Sequence, residues 1–90
     1  MTIAVDRTNQ IITLAAKDDA LDEVLDIQGI LFFGTAAGKS EVRDSNDNVL
    51  AQGGLTTTTL SFYVPLNRRV DGVKASLLAT GHTVFIYCKN

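Results

Sequence analysis

The constraint that most narrows what this chain can fold into is a hydrophobic period of two. In the segment TLSFYVPL, Leu60, Phe62, Val64 and Leu66 alternate with Thr59, Ser61, Tyr63 and Pro65. Side chains at i and i+2 share a face only in an extended strand, so this segment reads as a half-buried strand. Pro65 has no N–H to give to a ladder, which places the strand at a sheet edge or ends it there. HTVFIYCK is β-branched and aromatic: Val84, Ile86 and Cys88 share one face, Phe85 and Tyr87 the other. Apolar residues on both faces suit a central strand, or one whose outer face a partner covers. DIQGILFFG is similar, with Ile27 and Leu31 read on one face and Ile30 and Phe32 on the other. Gly29 within it marks a bulge or a close approach of another backbone.

Weaker strand patterns occur in TIAV, QIITLAA, SEVRD, NVLAQ and RRVDGVKASLL, with the Thr56–Thr59 run as a β-branched strand entry. SNDN between SEVRD and NVLAQ has the composition of a hairpin turn. Gly53-Gly54 and Gly81 mark further turns, and Asp71-Gly72 a turn or a bulge. KDDALDEVL is read as a loop or one helical turn, with Ala20, Leu21, Val24 and Leu25 on its apolar side. Six to eight short strands separated by turns predict an all-β fold, a small antiparallel β-sandwich of jelly-roll-like or immunoglobulin-like type. Residues 1–90 are expected to form one such domain, with Leu60, Phe62, Val64, Val84 and Ile86 in its core.

Charge narrows the function. The net charge is −2, and a nucleic-acid binder needs a basic face to neutralise phosphates. The distribution is uneven: residues 1–26 carry Asp6, Asp18, Asp19, Asp22, Glu23 and Asp26 against Arg7 and Lys17, a net of −4, and the remainder carries +2. The single cysteine, Cys88, cannot form an internal disulfide. No apolar run reaches the roughly 20 residues that span a bilayer. MTIAVDRTNQ lacks the pattern of a secretory signal, so synthesis in the cytoplasm and use without secretory processing are expected.

The motifs that suggest chemistry each fall short of it. Gly34-Thr35-Ala36-Ala37-Gly38-Lys39-Ser40 resembles a phosphate-binding loop, but has three residues between its glycines where four are needed. A strand is expected after it, where phosphate binding needs a helix N-terminus. Asp44, Asn46 and Asn48 imitate the start of a calcium loop, yet Val49 and Leu55 stand where its glycine and glutamate belong. The acidic run Asp18, Asp19, Asp22, Glu23, Asp26 is a solvated surface, a cation site or a contact for a basic partner. His82 is the only histidine. Cys88 reads as a small inward-facing hydrophobe. The two are separated by about 20 Å along an extended strand, too far to act as a pair. No catalytic residue, metal site or cofactor is expected, and no nucleic acid, membrane or small-molecule substrate. The residues expected to meet another subunit or a partner are Phe85, Tyr87, Arg68, Arg69, Asp18, Asp19 and Asp22.

The layout as a whole resembles small β-sandwich structural proteins of tailed bacteriophages, of the capsid cement or decoration type. DIQGILFFGTAAG, the hairpin EVRDSNDNVL, the Thr-rich strand and the closing VDGVKASLLATGHTVFIY carry the likeness. The closing element, with Val70-Asp71-Gly72-Val73, Leu77-Leu78-Ala79-Thr80-Gly81 and the Val84-Phe85-Ile86-Tyr87 strand, carries it best. The resemblance implies a non-enzymatic virion protein on the capsid surface, partnered by itself as a homo-oligomer, a trimer in such proteins, and by the major capsid protein. A tail, neck or fibre-associated part is the alternative within that class. A small carbohydrate- or protein-binding β-sandwich is the alternative outside it.

Overall fold

The structure is a computed structural model and describes residues 3–56 and 61–89, without the side chain of Ile3. Seven antiparallel strands form one sheet: β1 (Ile3–Asp6), β2 (Ile11–Leu14), β3 (Ala20–Gly34), β4 (Gly38–Arg43), β5 (Val49–Leu55), β6 (Ser61–Leu78) and β7 (His82–Cys88). Their order across the sheet is β1-β2-β7-β3-β6-β4-β5. The chain is therefore all-β, as its period of two requires.

Not all the strands are short. β3 has 15 residues and β6 has 18, and they pair along most of their length. The C-terminal part of β3 and the N-terminal part of β6 belong to a layer with β1, β2 and β7. The other halves of the same two strands belong to a layer with β4 and β5. Bulges let them pass from one layer to the other. The β3–β6 register shifts between Leu21 and Val24 and again between Ile27 and Gly29, and at the second shift β6 carries the extra residue, with Asn67 at φ 52. A bulge bends a strand and raises its local twist, so one sheet folds over itself. The two layers pack face to face as in a sandwich, but they are continuous through β3 and β6.

The layers close on Phe32. Its ring lies against Gly53 of β5, where a Cβ would sit 2.5 Å from a ring carbon. Gly53-Gly54 is thus not a turn; it lies within β5, and glycine is needed at Gly53 because the opposite layer occupies the side-chain space. Around this contact lie Ile12, Leu14, Ile27, Ile30, Val42, Val73, Ala75, Val84 and Ile86, all buried. Val84 and Ile86 are core as expected, and Val64 packs partly buried against it. Phe62 is not core: it is 44% exposed. It pairs with Phe32 across β3–β6, but β4 pairs only with residues 74–78 of β6, so the second layer does not extend over it. Leu60 and Thr57–Thr59 lie outside the described residues.

Three further sequence readings change. In KDDALDEVL, Lys17-Asp18 is a turn and Ala20–Leu25 is already strand β3, and Val24, expected on an apolar helical side, is 62% exposed. YVPL and RRVDGVKASLL are one strand, since Pro65 sits on the edge-forming half of β6 without ending it. Ile27 and Leu31 do not share a face. The β3–β7 register advances two residues on β3 for one on β7 between Ile27 and Gly29. That bulge at Gln28 turns Ile27 inward with Ile30 and Phe32 and leaves Leu31 on the outer side.

Truncation should separate the two paired phenylalanines. Phe32→Ala is expected to cost about 3–5 kcal/mol, and Phe62→Ala less than about 1 kcal/mol, by urea unfolding. Gly53→Ala is expected to cost about 1–3 kcal/mol through overpacking against the Phe32 ring. Equal losses for the two phenylalanines would place the layer boundary elsewhere.

Candidate functional site

Pairing register defines the outer face of the first layer. One row runs Ala4, Thr13, Phe85, Leu31, Tyr63 across β1, β2, β7, β3 and β6. The next runs Asp6, Ile11, Tyr87, Gly29, Pro65, and Phe33 and Thr83 begin a third. Four of the six aromatic residues therefore stand on this side. Phe33 and Tyr63 are 46% and 45% exposed, and Phe85, Tyr87, Leu31 and Ile11 are half-buried by their neighbours. A shallow groove of about 520 Å³ runs over Ile11, Thr13, Leu31, Phe33, Phe85 and Tyr87. Among the described residues of these rows Asp6 is the one charged group. It sits at the corner and accepts hydrogen bonds from the Thr8 and Asn9 backbone and the Asn9 side chain.

Tyr63 and Tyr87 are held in place by glycine. A Cβ at Gly29 would collide with the phenol ring of Tyr63, so the missing side chain lets that ring lie across β3 toward Tyr87. Their centroids are 6.3 Å apart at an interplanar angle of 56°, within the range of a favourable tilted aromatic pair. Gly29 was legible as a bulge or close approach; the group that approaches is a side chain. Phe85, Tyr87 and Tyr63 were readable as outward from alternation alone. The grouping of Leu31 with Ile27 fails, because the bulge at Gln28 inverts parity between them.

The charged candidates are largely engaged within the chain. Asp26 and Arg69 face each other in the β3–β6 register and form a two-pronged ion pair at 2.8 and 3.2 Å. Asp18 lies 3.9 Å from Lys74, Arg7 meets Glu23, and Asp22 accepts from the Ser45 hydroxyl at 2.9 Å. Two of these contacts, Asp26–Arg69 and Asp18–Lys74, join the acidic N-terminal part to the basic remainder. Asp19 cannot meet a partner. It is 2% exposed, and its carboxylate accepts from the Ala15 and Ala16 N–H groups to lock the turn before β3. Arg68 and Asp18 remain on the surface. The described residues contain no group of three His, Cys, Asp or Glu arranged to hold a metal ion.

The phosphate-loop look-alike seats an imidazole. The loop leads into strand β4, and a Cβ at Gly34 would lie 2.5 Å from a ring carbon of His82. His82 is 3% exposed. Its Nε2 is 2.7 Å from the Ala36 carbonyl and its Nδ1 is 3.0 Å from the Ser40 hydroxyl. A carbonyl only accepts, so Nε2 carries a proton, and in the neutral ring Nδ1 then accepts from the Ser40 hydroxyl. This pairing, unseen in the sequence, clasps the β3–β4 loop to the start of β7. Cys88 lies at the other end of β7, half-buried against the core. Burial first, then Glu23 and Asp26, push its thiol pKa up, which keeps it protonated.

The calcium-loop look-alike is a self-satisfied turn. Asp44 accepts from the Asn46 and Asn48 N–H groups at 2.9 Å each and from the Asn48 amide at 3.3 Å. The Asn48 N–H foremost, with the Asn48 amide and Asn46, holds this carboxyl below the usual carboxylate range. Arg43, then Gln52 and Ser76, do the same for Glu41.

Two outcomes test these assignments. A depressed native pKa stabilises fully above the unfolded carboxylate value of about 4 and is lost as pH falls through the native one. The melting temperature should therefore be flat above about pH 5 and fall below about pH 4. Asp44→Asn should lower the plateau and shallow the acid limb; an unchanged profile would remove Asp44 from the hairpin's support. His82→Ala should cost about 2–4 kcal/mol by urea unfolding, since it opens a cavity and strands the Ser40 hydroxyl. A loss under about 1 kcal/mol would show that the clasp is not structural.

No family model and no curated protein matches the chain. Among solved structures it is similar to the capsular polysaccharide assembling protein CapF from Staphylococcus aureus, at 12% identity and a TM-score of 0.36. The match covers 99% of this chain and 28% of CapF, so the chain spans little more than a quarter of that protein's length. A likeness at this level identifies neither a shared fold nor a shared activity.

Proposed function

We propose that this protein is a non-enzymatic structural component of a phage particle, a capsid cement or decoration protein, that works by hiding its outer apolar sheet face against a neighbouring subunit. The observation that carries the reading is that face: five adjacent strands presenting Leu31, Phe33, Phe85, Tyr63 and Tyr87 with one charge, at the corner. Antiparallel sheets with one solvated face alternate apolar and polar residues; this one does not. Depletion of charge and enrichment in aromatics mark the centre of protein interfaces. The virion assignment within that class rests on the strand-and-turn resemblance, and a tail, neck or fibre position satisfies the same face.

A carbohydrate-binding reading rests on a narrower observation, the open notch of about 300 Å³ formed by Gln28, Leu31, Tyr63 and Tyr87. Two phenol rings beside an amide could stack on and hydrogen-bond a sugar ring.

Co-sedimentation with heads assembled from the major capsid protein of the same genome tests the first reading. Wild type should pellet with the heads and raise their thermal disruption temperature. Leu31→Asp, which places a charge in the middle of the face, should abolish both while leaving the isolated domain's melting temperature nearly unchanged. Retention of head binding by Leu31→Asp would refute the face as the working surface. Saturable tyrosine-fluorescence changes on titration with a glycan, lost in Tyr87→Ala, would replace the structural reading with the carbohydrate one.

A further inference from the structure

We infer that the occupant of the outer face is a second copy of this chain, packed sheet face to sheet face about a two-fold axis; this rests on the reading of that face as an interaction surface.

The first argument is charge. A face that meets its own image suffers like-charge repulsion wherever a charge stands near its centre. Here Asp6 alone is charged, it lies at a corner, and its carboxylate is already engaged by Thr8 and Asn9. Away from the face, Asp26–Arg69 and Arg7–Glu23 are paired within the chain. What remains on the face is apolar surface with the hydroxyls of Thr13, Tyr63 and Tyr87, groups that both donate and accept and so can pair with themselves.

The second argument is area. Two full rows over five strands about 4.8 Å apart, and a shorter third row at Thr83 and Phe33, with about 6.7 Å between rows, give a footprint of roughly 400 Å². Both sides together bury about 800 Å², the size of a weak, transient contact. The contact is thus large enough for a reversible dimer.

Edge-to-edge pairing, the obvious rival geometry, is disfavoured at both edges of this layer. One edge is the N-terminal half of β6, which pairs with β3 alone, and Pro65 in the middle of it cannot donate to an added strand. The other is β1, which has only four residues, and a very short edge strand offers little ladder to extend. Phe85 is on β7, the central strand of the five, and in the central row. Whichever way a two-fold axis runs between two such faces, the residue at the centre lies nearest its own image.

Sedimentation equilibrium over a broad concentration range should show a monomer of 9.7 kDa in exchange with a species of twice that mass. Leu31→Asp should raise the dissociation constant by roughly tenfold or more, with the far-ultraviolet circular dichroism and melting temperature of the monomer retained. In a Cys88→Ser background, Phe85→Cys should form a disulfide-linked dimer under mild oxidation, and Lys39→Cys, exposed on the other layer, should not. A monomer at every concentration, a third-order or higher assembly, or equal cross-linking of the two cysteine variants would overturn the inference. A monomer whose Leu31→Asp variant still loses head binding would overturn the second copy alone and leave the structural reading intact. A dimer indifferent to Leu31→Asp would overturn the outer face as its seam.

Discussion

The contact on which this architecture depends is that of Phe32 with Gly53. A seven-stranded antiparallel sheet of this size can lie open with one face in water. Here it folds over, because β3 and β6 are long enough to serve both halves and are bulged where they cross between them. The fold is held shut where the Phe32 ring fills the place of a β5 side chain. A side chain at Gly53 would push the layers apart. A small side chain at Phe32 would leave a void between two sheets that meet nowhere else around so large a group. The buried aliphatic residues on both sides of this contact are the ones the closure brings together.

The same bulges decide what the outside looks like. Between Ile27 and Gly29 the strand takes one residue more than β7 does. Ile27, Ile30 and Phe32 are buried as a result, and Leu31 and Phe33 are placed outward beside Phe85. Without that extra residue the alternation of β3 would put Ile27 and Leu31 on one side, and the outer face would lose its continuity between β7 and β6. Glycine at position 29 then admits the Tyr63 ring over the strand. Core closure and an apolar outer face are thus two results of one local irregularity.

This explains which parts of the structure were legible in the sequence. Strand content, the Asp44–Asn48 hairpin, the inward Val84 and Ile86 and the outward Tyr63, Phe85 and Tyr87 follow from local alternation and turn chemistry, and they stand. Phe62 and Ile27 did not follow, for different reasons. Phe62 alternates correctly, but the layer that would cover it stops short, a fact of tertiary extent that no local pattern encodes. Ile27 was grouped with Leu31 because parity counting fails across a bulge. Gly53-Gly54 read as a turn and Gly34 as the start of a phosphate-loop look-alike, and neither reading named the ring that fills the side-chain space. His82 and Phe32 are the answers, and both come from strands remote in sequence.

The division of charge along the chain takes on a different meaning once the strands are paired. Along the chain, residues 1–26 are acidic and the remainder basic. Because β3 runs antiparallel beside β6, Asp26 faces Arg69 and Asp18 comes near Lys74 within one domain. Exposed pairs of this kind contribute little to stability, about 0–1 kcal/mol each. They do favour the correct β3–β6 register over a slipped one, since a shift by two residues would bring Asp26 opposite a different side chain. Consumed in this way, the charges leave the outer face of β7 and β3 to be recognised by shape and apolar area. A surface of that kind gains little from long-range steering and depends instead on local concentration. That condition suits a protein that meets its neighbours on a crowded assembled surface better than one that must find a dilute charged ligand.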